Sequence, residues 1–510
     1  MLLRDLASGL NVRLIGDGDI EITAIDHDSR LAGPGSLFVA VPGFTVDGHA
    51  YLGRAVQNGA PAVAVQSDRE GHWQALVESG GVDLLVMPDT RVGLAKLAAA
   101  FQGHPARRLK VVGITGTDGK TSLANLVAHV FNSTGHKAGL ISTAECRIAA
   151  EQLPDTGRFT TPEAPQVQQM LAAMVGAGCE WAVVEATSHG LALHRVDECE
   201  YDIAVLTNLG LDHIDFHGTP GEYTAAKGLL FAMLDESIDK GVAKTAILNA
   251  DDPASEYFRS LTTARTLSYS VLGAAADLTG TAAQTEGWST RFRLESPAGS
   301  TDVNFPKPGE FNVQNALAAA GVGLAAGLPI DQIVSALDSW PGAPGRMERI
   351  DFGQPFTVVV DFAHAAASLE RVLKLLRQTS PGGRVIAVFG CIGERDKDRR
   401  PGMARAAAGL ADYTFITDDN PYTEDRDGIL RDIADGMRAA GKREGHDFSV
   451  VPDRREAISQ ALSMAVDEDA VLLAGKGHET TVHIGETEYP CDDRKVARRI
   501  LGELGYDRRQ

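Results

Sequence analysis

The run VVGITGTDGKTS, Val111 to Ser122, constrains the fold more than any other stretch of this chain. Two β-branched residues enter a glycine-bearing turn, and the helix-forming run LANLVAHVF follows at once. A strand that feeds a tight turn and then a helix is the opening unit of an α/β sheet. The turn also has the make-up of a phosphate cradle. Gly116 and Gly119, around Thr117 and Asp118, let the backbone curl so that its N–H groups converge on phosphate oxygens. Lys120 is placed to reach β- and γ-phosphates, and a hydroxyl of Thr121 or Ser122 to ligate Mg²⁺. A strict G-x-x-x-x-G-K spacing would need glycine where Ile114 stands. The alternative, a strand-to-helix turn with a surface lysine, therefore stays open at this point.

At 510 residues the chain has room for about three domains. Its 44% hydrophobic and 23% charged content is that of a globular protein, and no apolar run is long enough to span a bilayer. The first residues, MLLRDLASGLNVRL, lack an apolar core and a small-residue cleavage site. A secretory signal is not expected, and a cytoplasmic location is. Cys146, Cys179, Cys199, Cys391 and Cys491 are scattered with no C-x-x-C pair, which argues for buried free thiols over disulfides or zinc. A net charge of −20 argues against nucleic acid as a partner while leaving a local cationic pocket for a nucleotide possible.

Hydrophobic patterning divides the chain at about residues 104 and 343. Residues 1–104 read as a small α/β unit, with strands in ITAIDHDSR, GSLFVAVPG and PAVAVQ and a helix in HAYLGRAVQNGA. Residues 105–343 alternate strands and helices. The apolar runs WAVVEA, IAVLTNL and TAILNA suit buried parallel strands of a doubly wound sheet. Asp277 to Phe305 reads as an antiparallel excursion and FNVQNALAAAGVGLAAG as a helix. The run PGAPG, Pro341 to Gly345, is the linker candidate. Residues 344–510 carry a second α/β pattern, in which FTVVVDFAH, RVIAVFG, YTFITDD and AVLLAGKG each run into a polar loop. Ligands of open α/β sheets sit at such strand ends.

Polar clusters fall at those ends. Glu185 closes WAVVEA and is a candidate Mg²⁺ ligand, although on its own it reads equally as an ordinary strand-end acid. Asp212, His213, Asp215, His217 and Lys227 crowd the next segment without the spacing of a zinc hydrolase. Arg346 follows the linker, Asp361 and His364 end a strand, and Arg395, Lys397, Arg399 and Arg400 follow another. For Lys397 and Asp398 a solvated helix start is the preferred reading. An arginine at a strand end suits bidentate recognition of a carboxylate.

Eleven of these motifs resemble the Mur ligases in content and order: GITGTDGKTS, FTTPE, EATSHGL, TNLGLDHIDFHG, EYTAAK, FNVQNALAA, GRMERI, VDFAH, FGCIGERD, TDDNP and GKGHE. The N-terminal DHDSRLAGPGSLFVAVPGFTVDGHAYLGRAVQNGA looks like the UDP-sugar domain of the MurE type. The resemblance implies three domains: a UDP-MurNAc-binding unit, a central P-loop ATPase domain and a C-terminal Rossmann-like domain that binds an amino acid. It implies an ATP-dependent ligase that adds the third amino acid to UDP-N-acetylmuramoyl-L-alanyl-D-glutamate through an acyl phosphate. A monomer is expected.

By the same resemblance Ser29 and Arg30 lie at the uridine sugar, and Thr160, Thr161, Thr187 and Arg195 at the muramoyl-peptide. Lys120 meets the ATP phosphates, with Thr121 and Glu185 on one Mg²⁺ and His213 on a second. Lys227 matches a carbamylated lysine, whose anionic oxygens could sit beside Mg²⁺ where an ammonium could not. Asn312 and Asn315 approach the adenine, and Arg346 and Asp361 the phosphates and ribose. Arg395, Asp419, Asn420, Gly475 and Glu479 receive the amino acid.

The chain departs from the family pattern at several positions. Asp118 stands where asparagine is frequent, Leu193 replaces a glutamine near the muramoyl site, and Ala365-Ala366 replace the usual T-P. Tyr422 follows DNP, where enzymes that use meso-diaminopimelate carry an arginine for the distal carboxylate. Tyrosine supplies no such charge, so L-lysine or L-ornithine is expected, with Asp419, Glu424 or Asp425 to accept the distal ammonium. Diaminopimelate, or an amide ligase of another pathway, is the alternative. A nucleotide-binding protein without ligase activity would have no reason to keep Glu185, His213 and Lys227 together.

Overall fold

The computed structural model describes residues 1–43, 46–69, 73, 76, 81–149, 151–152, 161–210, 212–394 and 397–506. The chain divides into two compact units. One holds residues 1–280, 294–300 and 314–336; the other holds 281–293, 301–313 and 337–510.

The first sheet has strands β1 (Arg13–Ile15), β2 (Ala24–Asp26), β3 (Ser36–Val39), β4 (Ala62–Gln66) and β5 (Asp83–Met87), in the order β1-β5-β4-β3-β2. All neighbours are parallel except β1 and β5. The four residues of β3 are all buried, because apolar clusters cover both faces of the sheet. Helix α1 (Thr90–Phe101) follows, its first turn capped by the Asp89 carboxylate, which accepts from the N–H groups of Arg91 and Val92.

The second sheet begins with β6 (Lys110–Thr115), which runs through Gly116–Gly119 into α2 (Lys120–Ser133). Then come β7 (Ala138–Ile141), β8 (Cys146–Ile148), β9 (Glu151–Gln152), α3 (Ala164–Gly176), β10 (Trp181–Glu185) and α4 (Ser188–Ala192). The chain continues with β11 (Ile203–Leu206), α5 (Pro220–Glu236), β12 (Thr245–Asn249) and β13 (Arg265–Ser270). The long strands β14 (Leu278–Glu286), β15 (Ser289–Ser296) and β16 (Gly299–Phe305) precede α6 (Glu310–Ala325). The order is β16-β15-β14-β13-β12-β11-β6-β10-β7-β8-β9. The stretch from Asp277 to Phe305 therefore extends this sheet. Strand β6 lies where the winding reverses, with β10 and β7 on one side and β11, β12 and β13 on the other. The carboxyl ends of β6, β10 and β11 meet at that switch point, the place where an open α/β sheet leaves a crevice.

The third sheet is β17 (Glu348–Ile350), β18 (Thr357–Asp361), β19 (Val385–Phe389), β20 (Tyr413–Ile416), β21 (Phe448–Val450) and β22 (Ala470–Ala474), ordered β17-β18-β22-β19-β20-β21. Only β17 is antiparallel to its neighbour. Alternate residues of β18 and β19 enter different cores. Val359, Ala387 and Phe389 pack with α7 (Ala366–Thr379), α8 (Arg399–Leu410) and α9 (Arg426–Ala439). Val358, Val360, Ile386 and Val388 pack with α10 (Arg454–Met464) and α11 (Asp493–Glu503). Each such valine, isoleucine or phenylalanine contributes roughly 1.5–3 kcal/mol by leaving water. A hairpin of β23 (Thr481–Ile484) and β24 (Thr487–Pro490) stands apart from the sheet. The run Pro341–Gly345 lies between the helix Ile330–Asp338 and β17, where a linker was expected. No helix among the described residues is long and apolar enough to cross a membrane, and all five cysteines are free.

Candidate functional site

The loop after β6 turns on two glycines of positive φ, Gly116 and Gly119. Gly116 has φ +142°, and a Cβ there would collide with Thr207 Oγ1. The loop is then laced to the segment after β11. Thr117 N–H donates to Asn208 O at 2.8 Å and Asp118 N–H to Asn208 Oδ1 at 3.0 Å. Thr207 Oγ1 and Asn208 Nδ2 donate back to Asp118 O at 2.7 and 3.1 Å. Gly210 N–H donates to Thr117 Oγ1 at 2.7 Å, and the Tyr223 hydroxyl lies 3.0 Å from the same oxygen. Lys120 Nζ reaches back to the carbonyls of Gly116 (3.0 Å) and Thr117 (2.8 Å). Asn315, on α6, presents Oδ1 at 3.0 Å from where a Cβ of Gly119 would lie.

Three expected residues gather around this loop. Thr121 Oγ1 donates to both oxygens of Glu185, at 3.0 and 3.1 Å, and Glu185 Oε2 also accepts from Thr143 N–H at 2.9 Å. Lys227 is 1% exposed, donates to Gly116 O at 2.6 Å and rests its Nζ 4.5 Å from the centre of the Tyr223 ring. Burial, followed by the charge of Lys120, holds Lys227 well below the ordinary lysine value. A neutral amine is the form that reacts with CO₂. Thr121 and Glu185 give adjacent buried oxygens, the donor type that suits Mg²⁺.

His213 sits in a left-handed conformation, φ +53°, with Nε2 3.3 Å from Asp212 and its ring 4.6 Å edge-on from His189. His189 also meets Phe216 and His217, and burial together with His213 pushes it down to about 4. Among the described residues no group of three or more His, Cys, Asp or Glu side chains is gathered for a metal.

The muramoyl-peptide candidates assemble beside Glu185. Thr161 Oγ1 and Thr187 Oγ1 are 2.9 Å apart, and Thr187 caps α4 by accepting from Gly190 N–H. Arg195 donates through Nη1 to Thr161 O at 3.2 Å and pairs through Nη2 with Glu163 at 2.6 Å. Arg91 of α1 feels both Glu163 and Arg195 and donates to Pro42 O at 2.7 Å. In the first sheet's loops Ser29 is buried, its carbonyl accepting from Asn58, whereas Arg30 is exposed and folded onto Asp28 at 2.5 Å. Thr160 and Arg395 lie outside the described residues.

In the other unit, Asp361 at the end of β18 is buried and accepts from Met347 N–H at 2.8 Å. Burial raises its carboxyl, and the Arg346 guanidinium, 4.4 Å over the Phe362 ring, opposes this. Asn312 is buried and donates to Pro308 O at 2.8 Å. Asp419, Asn420, Gly475 and Glu479 come together at the ends of β20 and β22, where Asn420 Nδ2 donates to Glu479 Oε2 at 3.0 Å. Tyr422, φ +50°, stacks on His483 of β23 with ring centres 5.5 Å apart. The expected choice among three carboxylates for a distal ammonium narrows. Glu424 is engaged by Arg400 at 2.8 Å and Lys397 at 3.4 Å. Asp425 caps α9 and pairs with Arg431. Asp419 is 2% exposed, and among the described residues neither of its oxygens has a hydrogen-bond partner.

Models of the Mur ligase family match three stretches: the catalytic domain over residues 21–102, the middle domain over 114–323 and the glutamate ligase domain over 345–477. A UDP-N-acetylmuramyl-tripeptide synthetase of Roseiflexus sp. (strain RS-1) is 43% identical over 494 residues, covering 95% of this chain and 96% of its own. The chain belongs to the Mur ligase family. This Mur ligase is also 41% identical to a UDP-N-acetylmuramoyl-L-alanyl-D-glutamate–2,6-diaminopimelate ligase of Bacillus velezensis (strain DSM 23117 / BGSC 10A6 / LMG 26770 / FZB42), over 95% of each chain. A solved ligase of that same description superposes with a TM-score of 0.67 at 30% identity, covering 99% of both chains. The protein is an ATP-dependent amide ligase of α/β fold.

Several residues of the Mur ligase site escaped the sequence reading. Thr207, Asn208 and Tyr223 brace the phosphate loop, and Arg91 and Glu163 flank Arg195. Tyr223 and Glu163 lie inside motifs already singled out, EYTAAK and FTTPE, so position in a motif was the available signal. Arg400, named in the sequence without a role, is a structural residue of the same cluster. It is 2% exposed and clamps Glu424 and Asp432, both at 2.8 Å.

Proposed function

We propose that this ligase adds the third amino acid to UDP-N-acetylmuramoyl-L-alanyl-D-glutamate, with L-lysine or L-ornithine as that amino acid. Its domains are 1–104 for the UDP-sugar, 105–343 for ATP and 344–510 for the amino acid. The observation that carries the reaction is the group at the switch point: Lys120 and Lys227 on one carbonyl, with Thr121 hydrogen-bonded to a buried Glu185 beside them.

In this reading Lys120 leaves the loop carbonyls to meet the ATP phosphates, while Gly116 to Ser122 shape the cradle. Asn312 and Asn315 serve the adenine side, and Arg346 and Asp361 the phosphates and ribose. Thr121 and Glu185 would hold one Mg²⁺, and His213 with carbamylated Lys227 a second. The metal, when bound, offsets the repulsion between two anionic reactants. Ser29, Arg30, Thr160, Thr161, Thr187 and Arg195 fix the UDP-dipeptide so that its γ-carboxylate lies in line with the γ-phosphorus. An O–P bond forms and ADP leaves. The amine of the amino acid, held by Arg395, Asp419, Asn420, Gly475 and Glu479, then attacks the acyl carbon, phosphate departs and the nitrogen loses a proton. The enzyme works in the cytoplasm as a monomer, with no nucleic-acid or membrane partner.

The choice of lysine or ornithine rests on Tyr422, which gives a distal carboxylate no cation, and on Asp419, a buried carboxylate that no hydrogen bond among the described residues engages. The relatives named as diaminopimelate ligases support the second reading, meso-diaminopimelate. An assay of phosphate release with ATP, the UDP-dipeptide and each amino acid in turn separates them. Turnover of diaminopimelate alone would reject lysine and ornithine, and no turnover with any amino acid would reject the reaction.

A further inference from the structure

The motif GKGHE contains a lysine that the proposed chemistry leaves without a role. Lys476 follows Gly475 at the end of β22 and is fully buried. Its Nζ donates to Glu479 Oε2 at 2.7 Å and to Asn420 Oδ1 at 3.2 Å, and stands 3.8 Å from Asp419 Oδ1. Asn420 is thereby fixed at both ends. Its Nδ2 gives to Glu479 Oε2, and its Oδ1 also accepts from His483 N–H at 3.0 Å. A side chain with two donors and one acceptor so engaged cannot flip without breaking bonds.

Asp419 is the exception in this network, buried but with neither oxygen hydrogen-bonded. Gly475 keeps the space beside it clear: at φ +104° it carries no Cβ, which would otherwise press to 2.8 Å of Asp419 Oδ2. An unsatisfied buried carboxylate is costly. Asp419 and Glu479 against Lys476 leave one net negative charge; the lysine is committed to Glu479, and Arg454, whose charge Asp419 also feels, is paired with Asp493.

We propose that Lys476 is a positioning residue of the amino-acid site, pinning Glu479 and Asn420 in the orientation in which they and Asp419 receive the incoming amino acid. The proposal rests on the reading of this cluster as the amino-acid site. Burial works against the charge of Lys476, yet Asp419 and Glu479 hold it above the ordinary lysine value. Burial raises Glu479, and Lys476 is the largest force opposing that rise. Without the lysine the largest force opposing the rise of Glu479 is gone, Asn420 loses a donor on its Oδ1, and the pocket no longer holds these side chains in place.

The test is the variant Lys476→Met in the full-length enzyme, read in two assays. Hydroxylamine attacks the acyl carbon of the acyl phosphate and releases phosphate, so hydroxamate formation reports the first half-reaction without an amino acid. Amide formation reports both halves. The expected result is an amino-acid KM raised about tenfold or more with hydroxamate formation within about twofold of wild type. An amino-acid KM within twofold of wild type overturns the proposal, and so does loss of hydroxamate formation in the variant. Absence of hydroxamate from the wild-type enzyme would instead reject the ligase chemistry itself. Should the single variant fail to fold, Lys476→Met with Glu479→Gln removes both charges together. Its KM should lie within about threefold of that of Glu479→Gln alone, because the lysine acts first through that carboxylate and only second through Asn420, and a further rise of about tenfold overturns the proposal.

Discussion

Lys120 and Lys227 donate to the same atom, the carbonyl oxygen of Gly116, at 3.0 and 2.6 Å. Two ammonium groups converging on one acceptor repel each other, and the more buried one yields. Burial first, and Lys120 second, hold Lys227 well below its ordinary value. The arrangement couples the phosphate-binding lysine to the state of its neighbour: a carbamate on Lys227 would turn repulsion into attraction.

Lys227→Ala should therefore lower kcat by about 10²-fold or more, with part of the rate restored by a short carboxylate. Carbon-13 labelled CO₂ should give a carbamate signal in wild type that is missing from the variant. Undiminished activity in the unrescued variant would remove the carbamate from the mechanism. The unmodified lysine also has a stability signature. A depressed folded value means the unfolded chain binds the extra proton, so stability rises with pH between that value and the ordinary lysine one.

Glu185→Gln keeps an acceptor for Thr121 and Thr143 but loses the charge. The Mg²⁺ concentration for half-maximal rate should rise about tenfold, with KM for the amino acid unchanged. A Mg²⁺ titration superimposable on wild type would exclude Glu185 as a ligand.

Tyr422→Arg introduces the guanidinium that a distal carboxylate needs. Its left-handed backbone is already imposed on a non-glycine residue, so arginine adds little strain. The ratio of kcat/KM for meso-diaminopimelate over lysine should climb at least about tenfold, measured in the same amino-acid panel. An unchanged ratio would place selection elsewhere.

His194 Nδ1 lies 2.8 Å from Asp197, a hydrogen bond that raises the imidazole above its ordinary value against burial. The stabilisation is complete below the unfolded value and is lost as pH rises through the folded one. The thermal midpoint of wild type should thus fall more steeply than that of His194→Gln from near-neutral pH upward, by scanning calorimetry. Parallel curves would mean the pair contributes nothing.

Arg454 and Asp493 form a fully buried ion pair, joined at 2.8 and 2.6 Å, with the arginine also holding the carbonyls of Asp418 and Ala474. Asp493→Ala leaves that guanidinium without a counter-charge. It should cost about 3–5 kcal/mol in urea unfolding. A loss under about 1 kcal/mol would show that the backbone carbonyls suffice.

The strands most readable in the sequence were continuous apolar runs buried on both faces, as in VVGIT, WAVVE and VIAVF. Their loops were readable because each carries chemistry that a packing role does not require. The short edge strands β17 and β21 and the hairpin of β23 and β24 were not anticipated, since three- or four-residue segments with exposed positions leave no clear period. The pairing of the braces with the phosphate loop was equally silent, although the residues lie in motifs. Asn208 and Tyr223 lie some hundred residues from Asp118 and Thr117, and only the sheet order shows that β11 borders β6. Arg400 was named only as one of four cations after a strand, and sequence could not show that Glu424 and Asp432 offset its burial.

The lacing between Asp118 and Asn208 has a consequence for any attempt to move this phosphate loop into another protein. Five of its hydrogen bonds end on Thr207, Asn208 or Gly210, and a sixth contact ends on Tyr223. A graft of Val111 to Phe131 would carry the recognisable signature but none of these partners. It would behave as a glycine-bearing turn in search of a shape, so the smallest transplantable nucleotide module runs from β6 through α5.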